Sequence, residues 1–276
     1  MIKLDYSHNK FLDLKDRISI VIIVKGREHH LKNTLESLNT NFPFFNELIL
    51  VNMNQDINKT IYDYIKYPII QTSLYTPNEE LPLAKARNLG ARLSSSSKLL
   101  FLDVDCIVSP NICKEYIRAI TNNPHNIYMS KCLYLEEKVN YFKEVFSSIS
   151  KEHPKRTVDT YPKWQFFWSL SFAIDKKRFR RLGEFDENFL NYGGEDTEFS
   201  YRNYLDKGEL VWVPTTSVYH QPHTSNTLPL HHIKSVINNV NYFYSKYGFY
   251  IMENWLKGFL ELDLIEKIEG GSYRIK

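Results

Sequence analysis

Two aspartates one residue apart, Asp103 and Asp105, close a mostly apolar run, Lys98-Leu99-Leu100-Phe101-Leu102. In extended backbone the side chains alternate, so both carboxylates lie on one face and Val104 turns away. Carboxylates this close repel each other unless a cation lies beside them. The C-terminal edge of a covered α/β sheet is also where ligands bind. The pair therefore points to a divalent metal holding a phosphorylated ligand. An Asp-x-Asp triplet alone is weak; its place at the end of a buried strand gives it weight.

Three other stretches carry chemistry-bearing residues. In Tyr192-Gly193-Gly194-Glu195-Asp196 the glycines let the backbone come close to a ligand, and two acids open a helix. The plain reading of those acids is favourable charge at a helix N-terminus. In Val218-Tyr219-His220-Gln221-Pro222-His223 a histidine follows a β-like run. Imidazole together with carboxylate oxygen suits Mn²⁺ or a similar ion. Lys25-Gly26-Arg27 stands between a strand and a helix, a place for phosphate or an anionic ring edge.

The elements that must position these residues follow from pattern. The β-branched run 18–24 predicts a first strand, and Leu31, Leu35 and Leu38 mark the helix after it. Residues 47–51 form a second buried strand ending at Asn52, 61–67 a short helix, and Ile69-Ile70 a short strand. Leu83 to Leu93 is a helix bearing Lys85, Arg87 and Asn88, with Gly90 inside it, which implies close packing or ligand approach. Ser109 and Pro110 are expected to start a helix that runs to about Asn122, followed by a strand over 127–135. Residues 136–163 read as an irregular excursion over the site, and 164–174 as a strand. Asp175 caps a short basic helix ending at Gly183, and a helix follows from Glu195 to about Lys207. Val211–Val213 and the run into His220 are strands. Thr227 is expected to cap a helix striped with Leu230, Ile233, Val236, Ile237, Val240, Phe243 and Tyr244. Gly248 interrupts it, and a second apolar-aromatic helix covers 249–264. His231 and His232 read as ordinary surface residues. Repeated alternation of strand and helix over 18–135 marks a mainly parallel, Rossmann-like α/β sheet.

The chain of 276 residues suffices for one large α/β domain or two small ones. A balance of 35 basic and 32 acidic residues is too even to argue for nucleic acid, and none is expected as a partner. Three cysteines without metal-type spacing, and no secretory apolar segment at the start, lead us to expect a reducing, cytoplasmic setting. No window approaches the apolar length of a membrane span.

Taken together, these blocks resemble metal-dependent nucleotide-sugar glycosyltransferases of the GT-A fold. The likeness runs over roughly 17–223 and is nearest to the β-1,4-galactosyltransferases and the GalNAc-transferase domain of bacterial chondroitin polymerase, which are family-two-like. Its residues are Lys25 to Lys32, Val51 to Gln55, Asp103-Val104-Asp105, and Tyr192 to Asp196 with Tyr219-His220-Gln221. The resemblance implies that Asp105 and His220, with Asp103 assisting, hold Mn²⁺ (or Mg²⁺) on the diphosphate of a UDP-sugar. It implies Lys25, Arg27, Asn52, Asn88, Asp103 and Val104 on the donor side. It implies Asp196 as the base that takes the acceptor hydroxyl proton. Glu195 and the Gly194 backbone contact the sugars, and Tyr192 and Trp168 form stacking walls. The expected arrangement is a GT-A domain over 1–225, with its nucleotide-binding part at about 17–135 and its acceptor part at about 136–225. A C-terminal helical extension over 226–276 would follow.

The expected activity is inverting transfer of a hexose, galactose or GalNAc, from a UDP-sugar to a hydroxyl of a glycan or lipid-linked glycan. Bacterial surface polysaccharide synthesis is the expected setting, with the C-terminal helices touching the membrane peripherally. The sequence departs from the pattern at Tyr192, where the family has Trp, at Asn52, where many relatives have Asp, and at Leu83, where the galactosyltransferases have a polar residue. A haloacid-dehalogenase-type phosphatase also starts Asp-x-Asp, but needs Gly-Thr next, where Cys106-Ile107 stand here. A catalytically silent glycan-binding or scaffold protein of the same fold is the remaining alternative.

Overall fold

The computed structural model describes residues 17–42, 44–56, 65–77, 80–138, 150–152, 163–223 and 228–276. Most of the helix expected over 61–67, most of the excursion over 136–163, and the Thr227 cap lie outside these residues.

The first half alternates strand and helix. Its elements are β1 (Ile18–Val24), α1 (Glu28–Leu38), β2 (Phe45–Met53), β3 (Ile69–Leu74), α2 (Leu83–Leu93), β4 (Lys98–Asp103), β5 (Cys106–Val108), α3 (Ile112–Asn122) and β6 (Ile127–Leu135). Then come β7 (Ser150–Glu152), β8 (Ser171–Asp175), α4 (Lys176–Arg181), α5 (Glu195–Leu205) and β9 (Leu210–His220). The chain closes with α6 (Ile233–Tyr247), α7 (Glu253–Glu261), β10 (Ile265–Lys267) and β11 (Tyr273–Ile275).

Every residue of β1 is buried, because helices cover both faces of the sheet. Alternation divides its side chains. Ile20, Ile22 and Val24 join the layer of Leu31, Leu35 and Tyr116 from α1 and α3. Val21 and Ile23 join Ala84 and Ala86 of α2 and the rings of Phe101, Phe172, Phe179, Phe185 and Phe199. A Cβ at Gly90 would lie 2.3 Å from Val21 Cγ1, so this glycine serves close helix–strand packing.

The sheet runs β3-β2-β1-β4-β8-β6-β9-β5, with β7 on β6. The β3-β2-β1-β4 half is parallel. Beyond it β8 is antiparallel to β4 and β6, β9 is parallel to β6, and β5 is antiparallel to β9. The expected mainly parallel sheet is thus mixed, because β8 and β5 run against their neighbours.

Four local expectations change. The strand expected over 164–174 begins only at Ser171, and Trp164–Phe166 form a 3₁₀ turn. Ser109 does not cap α3: its hydroxyl accepts the Ser217 N–H at 3.1 Å, and its own N–H donates to Ser217 O at 3.0 Å, so β9 claims it. The two short strands before His220 are one strand, whose register on β6 shifts between Ser130 and Lys131. The C-terminal segment is two helices plus a hairpin of β10 and β11, around Val236, Val240, Leu256, Phe259 and Ile265. Among the described residues no helix is long and apolar enough to cross a membrane.

Candidate active site

Asp105 lies in the turn Val104-Asp105 that joins β4 to β5. β5 pairs with β9 so that Cys106 faces His220, and the Gln221 N–H donates to Asp105 O at 2.9 Å. That register brings His220 Nε2 to 3.6 Å from Asp105 Oδ1, and His223 Nε2 to 3.5 Å from Asp105 Oδ2. The ligand atoms of Asp105, His220 and His223 lie within 4.8 Å of one another. Helix α1 braces both sides of the cluster. Thr34 Oγ1 donates to Val104 O at 2.9 Å, Asn33 Nδ2 donates to Gln221 Oε1 at 2.7 Å, and Gln221 Nε2 donates to His30 O at 3.0 Å.

The Asp105 carboxylate is 1 % exposed, and Arg27 pairs with it. Arg27 sits at φ 60° at the start of α1, a left-handed conformation that aims its guanidinium into the turn. Burial pulls His220 below the usual imidazole range, against the opposing pull of Asp105, which favours the neutral form that can ligate a metal. One carboxylate and two imidazoles make a donor set that fits Mn²⁺ or a similar divalent ion. His223 was not among the expected ligands. Its spacing from His220 was visible in the sequence, but only the turn after β9 shows that both rings face one carboxylate.

Asp103 lies outside that cluster. Its Oδ1 is 3.5 Å from Arg87 Nη2, and Arg87 Nη1 is 3.0 Å from Glu195 Oε1. Arg87, in α2, therefore joins the carboxylates at the end of β4 to those at the start of α5. Burial raises Asp103 and Glu195 above the usual carboxylate range although Arg87 opposes both, and Glu195 is pushed up to about 7. Asp196 is also raised by burial, Arg87 opposing. It is less enclosed than Glu195, and accepts the Thr197 N–H at 2.7 Å and the Ser169 N–H at 3.3 Å. A carboxylate so placed at a helix N-terminus is oriented without being shielded from a substrate hydroxyl.

The remaining expected residues divide. Lys25 Nζ reaches Asn54 O at 3.5 Å, so the basic turn after β1 and the polar turn after β2 lie together at the sheet edge. Asn52 Nδ2 donates to Thr72 O at 3.1 Å, while its Oδ1 is buried with no hydrogen-bond partner among the described residues. Asn88 is buried, and its amide donates to Phe185 O and accepts the Phe185 N–H, both at 2.9 Å, and so anchors the loop before α5. The Val104 side chain belongs to the core with Leu102 and Cys106. Trp168 packs against that same layer.

Tyr192 has its ring stacked on His232 (centroids 4.5 Å, planes 20° apart) and near-parallel to Trp255 at 5.9 Å. Gly193 and Gly194 were expected to admit a ligand. They sit at φ +97° and +93°, and a Cβ there would lie 3.2 Å from Met252 Sδ and from Ile251 Cδ1 respectively, so they admit the C-terminal segment. His232 is therefore not an ordinary surface residue. No sequence signal joins it to Tyr192, since the pairing depends on how α6 and α7 return over the loop.

The fold is that of GT-A glycosyltransferases. A GalNAc-T7 structure with UDP, GalNAc and Mn²⁺ matches with a TM-score of 0.59 at 19 % identity, over 90 % of this chain and 54 % of that one. S. aureus TarS 1–349 with UDP-GlcNAc matches with a TM-score of 0.57 at 13 % identity, over 88 % and 75 %. In sequence, the validoxylamine A glucosyltransferase of Streptomyces hygroscopicus subsp. jinggangensis is 26 % identical over 67 % of this chain and 50 % of its own. Mouse polypeptide N-acetylgalactosaminyltransferase 3 is 27 % identical over 64 % and 32 %, and Escherichia coli chondroitin synthase 28 % over 50 % and 25 %. The chain thus spans half or less of the length of these curated relatives. The family model described as glycosyltransferase like family 2 matches residues 19–258, a span that takes in the Asp105 turn, the Gly193-Gly194-Glu195-Asp196 loop and β9, and the chain belongs to that family.

Proposed function

We propose that this protein is an inverting glycosyltransferase that moves a hexose from a UDP-sugar to a hydroxyl of a glycan or lipid-linked glycan. The observation that carries the reading is the Asp105–His220–His223 donor set at the sheet edge, linked through Asp103 and Arg87 to Glu195 and Asp196. UDP and UDP-sugars in the structural neighbours support the donor class, and relatives named for glucose and GalNAc transfer support a hexose. Of the two sugars expected from the sequence, GalNAc is the one found among those names.

Asp105, His220 and His223 would hold the divalent ion, Mn²⁺ or Mg²⁺, whose charge offsets that developing on the diphosphate leaving group. Lys25, Arg27 and Asn52 would line the donor side. Asp103, paired with Arg87, would meet the ribose. Asp196 takes the proton of the attacking hydroxyl at a carboxylate oxygen, and a single in-line displacement inverts the anomeric centre. Glu195, fixed by Arg87, holds the acceptor sugar.

The setting we propose is bacterial surface polysaccharide synthesis at the inner face of the membrane. Exposed Leu260, Leu262, Ile268 and Ile275, close in sequence to Lys257, Lys267 and Arg274, support a peripheral lipid contact.

The test is UDP release from a panel of UDP-sugars, with Mn²⁺ and with chelator. Metal-dependent release from one sugar is the expected result and names the donor. UDP binding without release from any sugar, with glycosides present, would instead favour a silent glycan-binding protein.

A further inference from the structure

A concave site lies away from the Asp105 turn. It sits between the 3₁₀ turn Trp164–Phe166, the C-terminal half of α5 and the start of β9, and encloses about 650 Å³. Helix α5 opens at Glu195 and closes at Leu205, and β9 runs from Leu210 to His220. The cavity therefore occupies the ends of both elements opposite the carboxylates and the histidines. At 1.5 Å per residue, Ser200 stands about 6 Å and Leu205 about 14 Å along α5 from Asp196.

The volume is that of a small-molecule site, and the lining says what could enter. Trp164 is half-buried and fixed by the Tyr201 ring at 4.7 Å and the Phe249 ring at 6.0 Å. Tyr204 is 58 % exposed, so the wall includes an open ring. The hydrogen-bonding groups are mostly neutral. Gln165 is exposed at the rim. Asn203 Oδ1 accepts from Arg178 Nη2 at 2.9 Å, but its Nδ2 reaches Glu209 O only at 3.5 Å, which leaves it donor capacity. Ser200 Oγ is buried with no hydrogen-bond partner among the described residues, a group that a bound hydroxyl would satisfy. Lys163 and Lys207 are offset by Glu209 and by the negative C-terminal end of the α5 dipole, so the lining selects no anion. A wholly apolar ligand would leave Ser200 and Asn203 unsatisfied. An aromatic wall with neutral polar groups suits a pyranose, whose C–H face packs on rings while its hydroxyls bond.

We propose that this cavity is a second saccharide-binding site, separate from the Asp196 region, and that it takes a neutral pyranose unit. Its place along α5 lets it hold a distant part of a glycan whose reacting end lies at Asp196. That use rests on the proposed transferase reading; saccharide binding in the cavity does not.

The chain has four tryptophans, so fluorine NMR of the full chain labelled with fluorotryptophan reads each of them. A Trp164→Phe sample assigns the cavity line, and Trp255, near-parallel to Tyr192, reports on the Asp196 loop. The titrants are maltose, cellobiose, lactose and N,N′-diacetylchitobiose. At least one should shift the Trp164 line saturably, with a midpoint that the Trp255 line does not share. Tyr204→Ala and Gln165→Ala, both at exposed positions, should each raise that midpoint about tenfold and leave the circular dichroism melt unchanged. No shift of the Trp164 line with any disaccharide, a shift confined to the Trp255 line, or an unchanged midpoint in either variant overturns the site. UDP release on the same samples reads the transferase proposal separately: a saturable Trp164 shift without UDP release from any UDP-sugar keeps the site and removes the transferase.

Discussion

Glu195 and Asp196 are adjacent, yet their surroundings assign them different work. Glu195 is largely buried and tied to Arg87, while Asp196 is partly open and accepts the Ser169 and Thr197 N–H groups and the Thr197 hydroxyl. Asp196→Asn should cut transfer by about 10²–10⁴ and leave UDP binding in place, which kinetics and calorimetry on one sample would show; normal turnover removes Asp196 from the mechanism. Burial raises Glu195 to about 7, so its contribution to stability is complete below its ordinary value near 4.5 and is lost as pH rises through about 7. The melting temperature of the wild type should therefore fall between pH 5 and 7. Glu195→Gln, which stays neutral, should fall less over the same window. Around Asp105, His223→Ala should weaken Mn²⁺-dependent UDP binding by at least about tenfold. Unchanged affinity would leave the turn after β9 without a ligand role.

At the scale of elements, α2 and α6 do the positioning. Helix α2 carries Arg87 and Asn88 on the face toward the loop before α5, and it approaches β1 at Gly90. Gly90→Ala should cost about 1–3 kcal/mol in a denaturant melt, because the added methyl meets a β-branched neighbour on a rigid strand. Helix α6 is fastened to α5 and the loop before it by Lys246, which bonds Asp186 at 2.7 Å and Glu198 at 2.8 Å. Burial alone would raise Asp186, but Lys246, the Asn188 N–H and the Tyr242 hydroxyl together hold it at about 2. A depressed carboxylate contributes stability above its ordinary pKa and loses it as pH falls through the folded one. Acid titration between about pH 4 and 2 should therefore destabilise the wild type more steeply than Lys246→Met. Parallel curves would show that the ion pair does not fasten α6.

Over the whole molecule, Leu260 and Leu262 at the end of α7 and Ile268 and Ile275 at the hairpin are exposed, and the proposed lipid contact is tested there. Leu260→Asp with Leu262→Asp should lower recovery of the full chain with anionic liposomes in flotation; equal recovery would sink that contact. The sequence by itself determined the strand-helix alternation, since burial on both sheet faces demands apolar runs such as 18–24 and 98–102. It also determined the acids at the strand end and helix start, because these are local facts of pattern and spacing. It marked His220 for the same reason. Only the tertiary structure decided that β9 returns beside β5, which is a matter of strand order and not of local propensity. That return adds His223 to Asp105 and His220, and takes Ser109 from α3. Likewise Arg87, Asn239, His232 and Trp255 stand 108, 46, 40 and 63 residues from their partners Glu195, Gly193, Tyr192 and Tyr192. No periodicity reaches across such distances; only the packing of α2, α6 and α7 against one glycine-rich loop brings these residues together.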